Sequence, residues 1–320
     1  MALIEKQLKT MSAAVTTLDR HVHVQTLPVP DVPEGGALIQ VMGCGVCGSD
    51  VDKLLHRSPA SSVVLGHEIV GLLAGRRVAV SHHVPCQTCH YCRQHSPSMC
   101  RTFKQSHVDP GGFAQYIAVS EAHLAHTVFP LPDDVSDMAG SAVEPLACCI
   151  RAVARIPHYP ESSVLVVGLG FIGCLVSQLL QQQGFATYGM DLNPDRMQLA
   201  MTHGWIAPVE REVDCVFLTV VNEHTIDLAL RSVRDGGSIM LFSSGGDQPL
   251  IDQNQLYFRE INVLTSYSPG LGALKEAHQM ICDHRMVLDP LFSHTVGLEA
   301  LDSAIHHYAE GKAMKVFVTP

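Results

Sequence analysis

The chain has 320 residues, enough for two domains of ordinary size. Hydrophobic residues make up 47% and charged residues 16%, which gives ample core and excludes intrinsic disorder; no run of about 20 residues is uniformly apolar, against a spanning helix. Lys and Arg number 21 against 31 Asp and Glu, a net charge of −10, and no long basic run exists to meet nucleic acid or an anionic membrane.

The N-terminal run MALIEKQLKTMSAAV lacks the basic-then-apolar order of a secretory signal, so a cytoplasmic protein is expected. In a reducing compartment the 11 cysteines are expected as metal ligands or reactive thiols rather than disulfides. The first third of the chain is rich in Gly, Pro, His and Cys. Short β-prone runs at 36–41, 63–65 and 77–81 are interrupted by turn residues such as Pro28, Pro30, Pro33, Gly35 and Gly36, which predicts short, mostly antiparallel strands in a mainly β domain.

After Glu144 the pattern changes. Residues 147–154 read as a helix, and a strand–helix rhythm follows: strands at 163–167, 186–190, 214–220, 238–242 and 261–266, with helices at 171–183, 193–203 and 223–233. Alternating β and α predicts a doubly wound parallel sheet of Rossmann type. Helical stretches at 271–285 and 298–310 precede a last strand at 315–318, which has no parallel partner context in the sequence. The expected organisation is therefore a discontinuous catalytic domain, 1–155 with 269–320, flanking a dinucleotide-binding domain, 156–268.

The first strand of that rhythm runs straight into Gly168, Gly170 and Gly173, spaced G-x-G-x-x-G, with a helix pattern opening at Phe171 and Ile172. The first glycine permits a tight turn, the second lets the backbone approach a pyrophosphate, and the third lets helix pack on strand. The second strand ends in Asp191, 18 residues past Gly173, where a carboxylate accepts both ribose hydroxyls of NAD and repels the 2′-phosphate of NADP. A bland reading makes Asp191 a cap for the next helix. Arg196 follows close by and keeps NADP open as the lesser option.

Two groups of metal-ligand residues stand out. Cys86, Cys89, Cys92 and Cys100, spaced C-x2-C-x2-C-x7-C, can close a tetrahedron around a structural zinc with no open position. The second group is dispersed: Cys47 in GVCGSD, His67 and Glu68 in GHE, and Glu144 in VEPL. One thiolate, one imidazole and one carboxylate suit a catalytic zinc that keeps a position open.

With these residues in place the chain resembles the zinc-dependent medium-chain alcohol dehydrogenases, in particular their polyol (sorbitol) and threonine dehydrogenase branch. The resemblance rests on residues 45–50, 66–68, 85–100, 111–114, 144–147, 168–173 and 315–318 and covers roughly residues 11–320. It implies a GroES-like catalytic domain beside the Rossmann domain, two zinc ions per chain, and hydride transfer between a secondary alcohol and NAD. It makes Cys47 and His67 ligands of the catalytic zinc, with Glu68 or Glu144 as the third; the choice stays open. Ser49 matches the hydroxyl that passes the alcohol proton outward, and Asp50 a carboxylate that orients His67. Cys44 is expected as a small buried residue. Two departures are visible. The relay histidine of many relatives is Asp52 here, with His56 one turn further on, and the segment between Asp50 and Gly66 is short. The pair His82–His83 has no role beyond surface packing. Alternatives are a dehydrogenase of threonine or of an aminocyclitol or sugar intermediate, and a non-catalytic zinc- and nucleotide-binding redox sensor. A homodimer or homotetramer is implied by the family, and apolar strands at 237–242 and 261–266 are expected at a sheet edge.

Overall fold

The computed structural model describes residues 9–57, 62–209, 212–243 and 250–320. Residues 1–8 of the N-terminal run and 58–61 of the short segment after Asp50 lie outside the described residues. The chain divides into two compact units, Met1–Ala147 with Pro269–Pro320, and Cys148–Ser268. The first unit contains β1 (Thr10–Thr16), β2 (Val22–Pro28), β3 (Ala37–Gly45), β4 (Glu68–Leu73), β5 (Arg76–Ser81), β6 (Tyr116–Val119) and β7 (Val128–Pro130). The second holds β8 (Ser163–Val167), β9 (Ala186–Met190), β10 (Val213–Leu218), β11 (Val233–Leu241) and β12 (Asn262–Thr265). The chain then returns to the first unit with β13 (His294–Gly297) and β14 (Val316–Thr319).

In the first unit β1 and β2 pair antiparallel, and a seven-stranded sheet runs β13-β14-β3-β4-β5-β7 with β6 also on β3. Ile39, Val41, Ile69, Val78, Val80 and Ile117 from these strands pack with Leu301 and Ile305 of the helix Leu301–Ala309 into one core. β4 and β5 each hold a run of four consecutive buried residues, so these strands are covered on both faces, and one face of each lies on this core.

The second unit is a five-stranded parallel sheet, ordered β12-β11-β10-β8-β9. All five residues of β8 are buried, the signature of a parallel strand covered on both faces. Helices Phe171–Gln182, Pro194–Thr202 and Glu223–Ser232 follow β8, β9 and β10. Their starts are written in the sequence: Asn193 caps one by accepting from the Asp195 N–H with Pro194 at the first turn, and Asn222 caps another through the Thr225 N–H.

Several expectations need correction. The run 63–65 forms no strand, only an isolated bridge between Val64 and Val15. The helix expected from residue 147 begins at Val143, because Pro145 falls in the first turn, where its missing N–H costs nothing. The last strand has a parallel partner after all, β13, whose polar His294 and Thr295 hide it from a hydrophobic scan. Of the two runs expected at a sheet edge only β12 lies at one; the run 237–242 belongs to β11, which lies inside the sheet. No helix among the described residues is long and apolar enough to cross a membrane.

Candidate active site

The four-cysteine loop lies between β5 and β6. Short helices His90–Arg93 and Arg101–Gln105 and the 3-10 turn Pro97–Met99 fold it back on itself. The sulfurs of Cys86, Cys89, Cys92 and Cys100 all lie within 4.8 Å of one another, and none of these cysteines is in a disulfide. Cys86 and Cys100 stand 3.5 Å apart, Cys89 and Cys92 3.6 Å. A tetrahedron with zinc–sulfur bonds of about 2.3 Å has edges of about 3.8 Å, so the donor set fits the ion. Backbone N–H groups already serve the sulfurs: Cys89 N–H donates to Cys86 Sγ at 3.4 Å and Cys86 N–H to Cys100 Sγ at 3.5 Å. The Thr88 N–H and hydroxyl, followed by the Cys89 N–H, lower the Cys86 thiol to about 6, toward the thiolate a metal needs.

The second group assembles from two loops. Cys47 ends the extended stretch after β3 and precedes the one-turn helix Gly48–Val51; His67 directly precedes β4 and Glu68 opens it. One ligand atom from each of Cys47, His67 and Glu68 lies within 4.8 Å of the others. Glu144 is buried in the first turn of the helix Val143–Val153 and is not part of that group. Asp50, fully buried, ties the group together. It accepts from the Cys47 N–H at 3.1 Å and the Gly66 N–H at 3.4 Å, and stands 3.3 Å from His67 Nδ1, which turns Nε2 inward. Burial opposes charge on Asp50, yet His67 holds its carboxyl below the ordinary value. Burial also opposes charge on His67, and Asp50 and Cys47 outweigh it, raising the ring well above the ordinary value. Such a pocket favours positive charge at this ring. Ser49 Oγ, on an exposed residue, is 3.5 Å from His67 Nε2.

Glu68 is buried and its Oε2 forms an ion pair with the Lys315 Nζ, which also donates to the Val46 carbonyl at 2.9 Å. Glu68 Oε1 is buried with no hydrogen-bond partner among the described residues. A carboxylate oxygen left unsatisfied beside a thiol and an imidazole is what a zinc ion would complete, so the second donor set fits as well. Cys44, buried, has its thiol pushed well up by desolvation and stays a neutral packing residue. Asp52 pairs with Arg57 at 2.6 Å and His56 is exposed. His82 and His83 are not surface packing. The His82 ring lies 4.9 Å from the His67 ring and 3.8 Å from that of His83. Motif spacing does not mark Lys315 or His82 as site residues; a lysine just before an apolar strand is the one local sign of a buried acidic partner.

In the second unit the glycine loop links β8 to the helix Phe171–Gln182. Gly168 has φ +90°, and a Cβ there would sit 2.3 Å from the Thr219 hydroxyl. A Cβ on Gly173 would fall 1.9 Å from the Gly168 carbonyl, so only glycine lets the helix start this close to the strand. The helix opens at Phe171, Ile172 and Gly173, and the positive end of its dipole there favours an anion. Asp191 is not the helix cap; Asn193 is. Asp191 instead accepts from the Leu169 N–H at 2.6 Å and the Asn193 N–H at 2.8 Å, stitching the end of β9 to the glycine loop. Arg196 lies 3.9 Å from it.

Residues 33–133 match the alcohol dehydrogenase GroES-like domain. The chain is 28% identical to a sorbitol dehydrogenase of Bacillus subtilis, with 98% of each chain covered. It is 31% identical to a D-altritol 5-dehydrogenase of Agrobacterium fabrum over 76% of this chain and 80% of the relative. The same fold occurs in acetophenone reductase of Geotrichum candidum (TM-score 0.87, 23% identity, 98% of each chain) and in L-idonate 5-dehydrogenase of Escherichia coli (TM-score 0.83, 22% identity, 97% and 98%). A parallel sheet with a dinucleotide loop, joined in one chain to a GroES-like unit carrying metal-ligand residues, defines the class of zinc-binding, nicotinamide-linked dehydrogenases. The chain belongs to the zinc-dependent medium-chain alcohol dehydrogenase family, in its polyol branch, and is an NAD(P)-linked oxidoreductase of alcohols.

Proposed function

We propose that the protein oxidises a secondary alcohol of a polyol or sugar-like substrate, reversibly, with NAD as hydride acceptor and with one catalytic and one structural zinc per chain. The observation that carries this is the group of Cys47, His67 and Glu68, whose ligand atoms lie within 4.8 Å and whose Glu68 Oε1 has no hydrogen-bond partner among the described residues. In this reading those three residues hold the catalytic ion, Cys86, Cys89, Cys92 and Cys100 hold the structural one, and the catalytic domain comprises 1–155 and 269–320. When bound, the zinc supplies a Lewis acid that lowers the pKa of an alcohol, and NAD supplies the hydride acceptor. Asp50 keeps His67 in the tautomer whose Nε2 faces the group. Ser49 takes the alcohol proton and releases it directly to solvent, since Asp52 is engaged with Arg57 and the usual relay imidazole is absent.

Domain 156–268 takes the dinucleotide, its pyrophosphate on the glycine loop and its ribose at Asp191. The choice of NAD over NADP is supported by that carboxylate, which would repel a 2′-phosphate. The polyol assignment is supported by the sorbitol and D-altritol dehydrogenases among the relatives; L-threonine 3-dehydrogenases also match, at 25% identity over 92% of this chain. The exposed edge strand β12 supports a homodimer or homotetramer by edge pairing. Zinc-loaded protein is assayed by NADH absorbance against sorbitol, xylitol, L-idonate and L-threonine, each with NAD and NADP. Turnover of a polyol with NAD is expected. Turnover of threonine alone, or of nothing, overturns the substrate reading. Light scattering giving a mass near 34.7 kDa, that of one chain, overturns the oligomer.

A further inference from the structure

We infer that His82 contacts the substrate and reads a hydroxyl on the carbon next to the one oxidised. The inference rests on the alcohol dehydrogenase reading above and adds a specificity residue to it. His82 directly follows β5, where the register sets Ser81 opposite Glu68. Its ring packs against His67 with centroids 4.9 Å apart and planes tilted by 49°. The ring of His83 lies on it at 3.8 Å and is itself held, through Nδ1, by the Ser106 carbonyl. His123 Nε2 donates to the His82 carbonyl at 3.1 Å and fixes the backbone. The surroundings are thus anchored, yet the His82 ring makes no hydrogen bond among the described residues, and its Nδ1 is buried without a partner. A buried polar group left unsatisfied in an otherwise well-bonded site calls for an outside partner.

The chemistry of the ring says which partner. A neutral imidazole offers one donor and one acceptor, the complement of a hydroxyl, which has both. The residue is half-buried, and its Nε2, unlike Nδ1, is not sealed from solvent, so a small molecule reaches the ring there; the ring it packs against belongs to the group assigned to the reacting oxygen. A monohydric alcohol gives His82 nothing to bind, whereas a polyol carries a hydroxyl on the adjacent carbon.

Isopropanol and propylene glycol test this, because they differ by one hydroxyl on the carbon next to the secondary alcohol. Wild type, His82→Phe and His82→Asn are compared as zinc-loaded enzymes with NAD. The expected result is a fall of about tenfold in the propylene glycol to isopropanol ratio of kcat/KM for H82F, seen mainly in KM, with partial recovery in H82N. Calorimetric titration of propylene glycol into the enzyme–NAD complex is expected to lose affinity by a similar factor, with zinc content and melting temperature unchanged. An active wild type whose ratio stays the same in both variants overturns the inference alone. Loss of zinc in either variant also overturns it, since His82 would then serve the metal group. A wild type inactive on both alcohols and on every polyol of the panel overturns the dehydrogenase reading, and this inference with it.

Discussion

Replacing Lys315 with methionine is expected to destabilise the first unit severely. The Lys315 and Glu68 side chains are 2% and 1% exposed and form an ion pair between the start of β14 and the start of β4. Burial works against the lysine charge, but Glu68 outweighs it and raises the ammonium above its ordinary, already basic value. The charge therefore persists at every usable pH, and its stabilising effect is lost only above that range. Methionine keeps most of the volume but leaves the buried Glu68 Oε2 without its ammonium partner and the Val46 carbonyl without its donor. Breaking a buried pair from one side costs about 3–5 kcal/mol. For a unit of this size that corresponds to a fall in Tm of about 6–20 °C. Calorimetric melting of the zinc-loaded protein measures it. The double variant E68Q/K315M removes both charges and is expected to recover much of the loss, with zinc content measured beside it because Glu68 is also an assigned metal ligand. A K315M transition within about 4 °C of wild type, or a double variant no better than the single one, refutes the argument that charge pairing fastens these strands.

The two cysteine groups are expected to separate cleanly. Cys89→Ser lowers the zinc content and the melting temperature together, because a structural ion contributes folding energy, whereas Cys47→Ser keeps the melting temperature and loses turnover; elemental analysis beside calorimetry checks both. Asp191→Ala removes the acceptor of the Leu169 and Asn193 N–H groups and the negative charge at the end of β9. Its preference is expected to move toward NADP by about tenfold or more, read as the ratio of kcat/KM for the two cofactors; an unmoved ratio means Asp191 only braces the loop.

The parts of this molecule that the sequence discloses are those whose cause is local. The buried strand β8 shows itself as five apolar residues because a parallel strand has two covered faces, and the glycine loop follows it because only glycine fits at Gly168 and Gly173. The four cysteines are close in sequence because one short loop brings their sulfurs together. The antiparallel unit is less open to reading. β13 carries polar residues, and its partnership with β14 depends on tertiary placement that no periodicity records. The same limit applies inside the site. Glu68 is marked by its motif, yet whether it or Glu144 joins Cys47 and His67 depends on where the start of β4 and the helix Val143–Val153 come to lie. Lys315 and His82 are further from reach, because each acquires meaning only from a neighbour distant in the chain: Glu68 for the lysine, His67 for the histidine. Polar residues beside apolar runs are the sign they leave, the lysine opening KVFV and the two histidines closing RRVAVS. A fold hides such residues at a cost in desolvation, so a polar residue that sequence logic cannot place, once found packed against the site, is the first to test for a role in choosing the substrate.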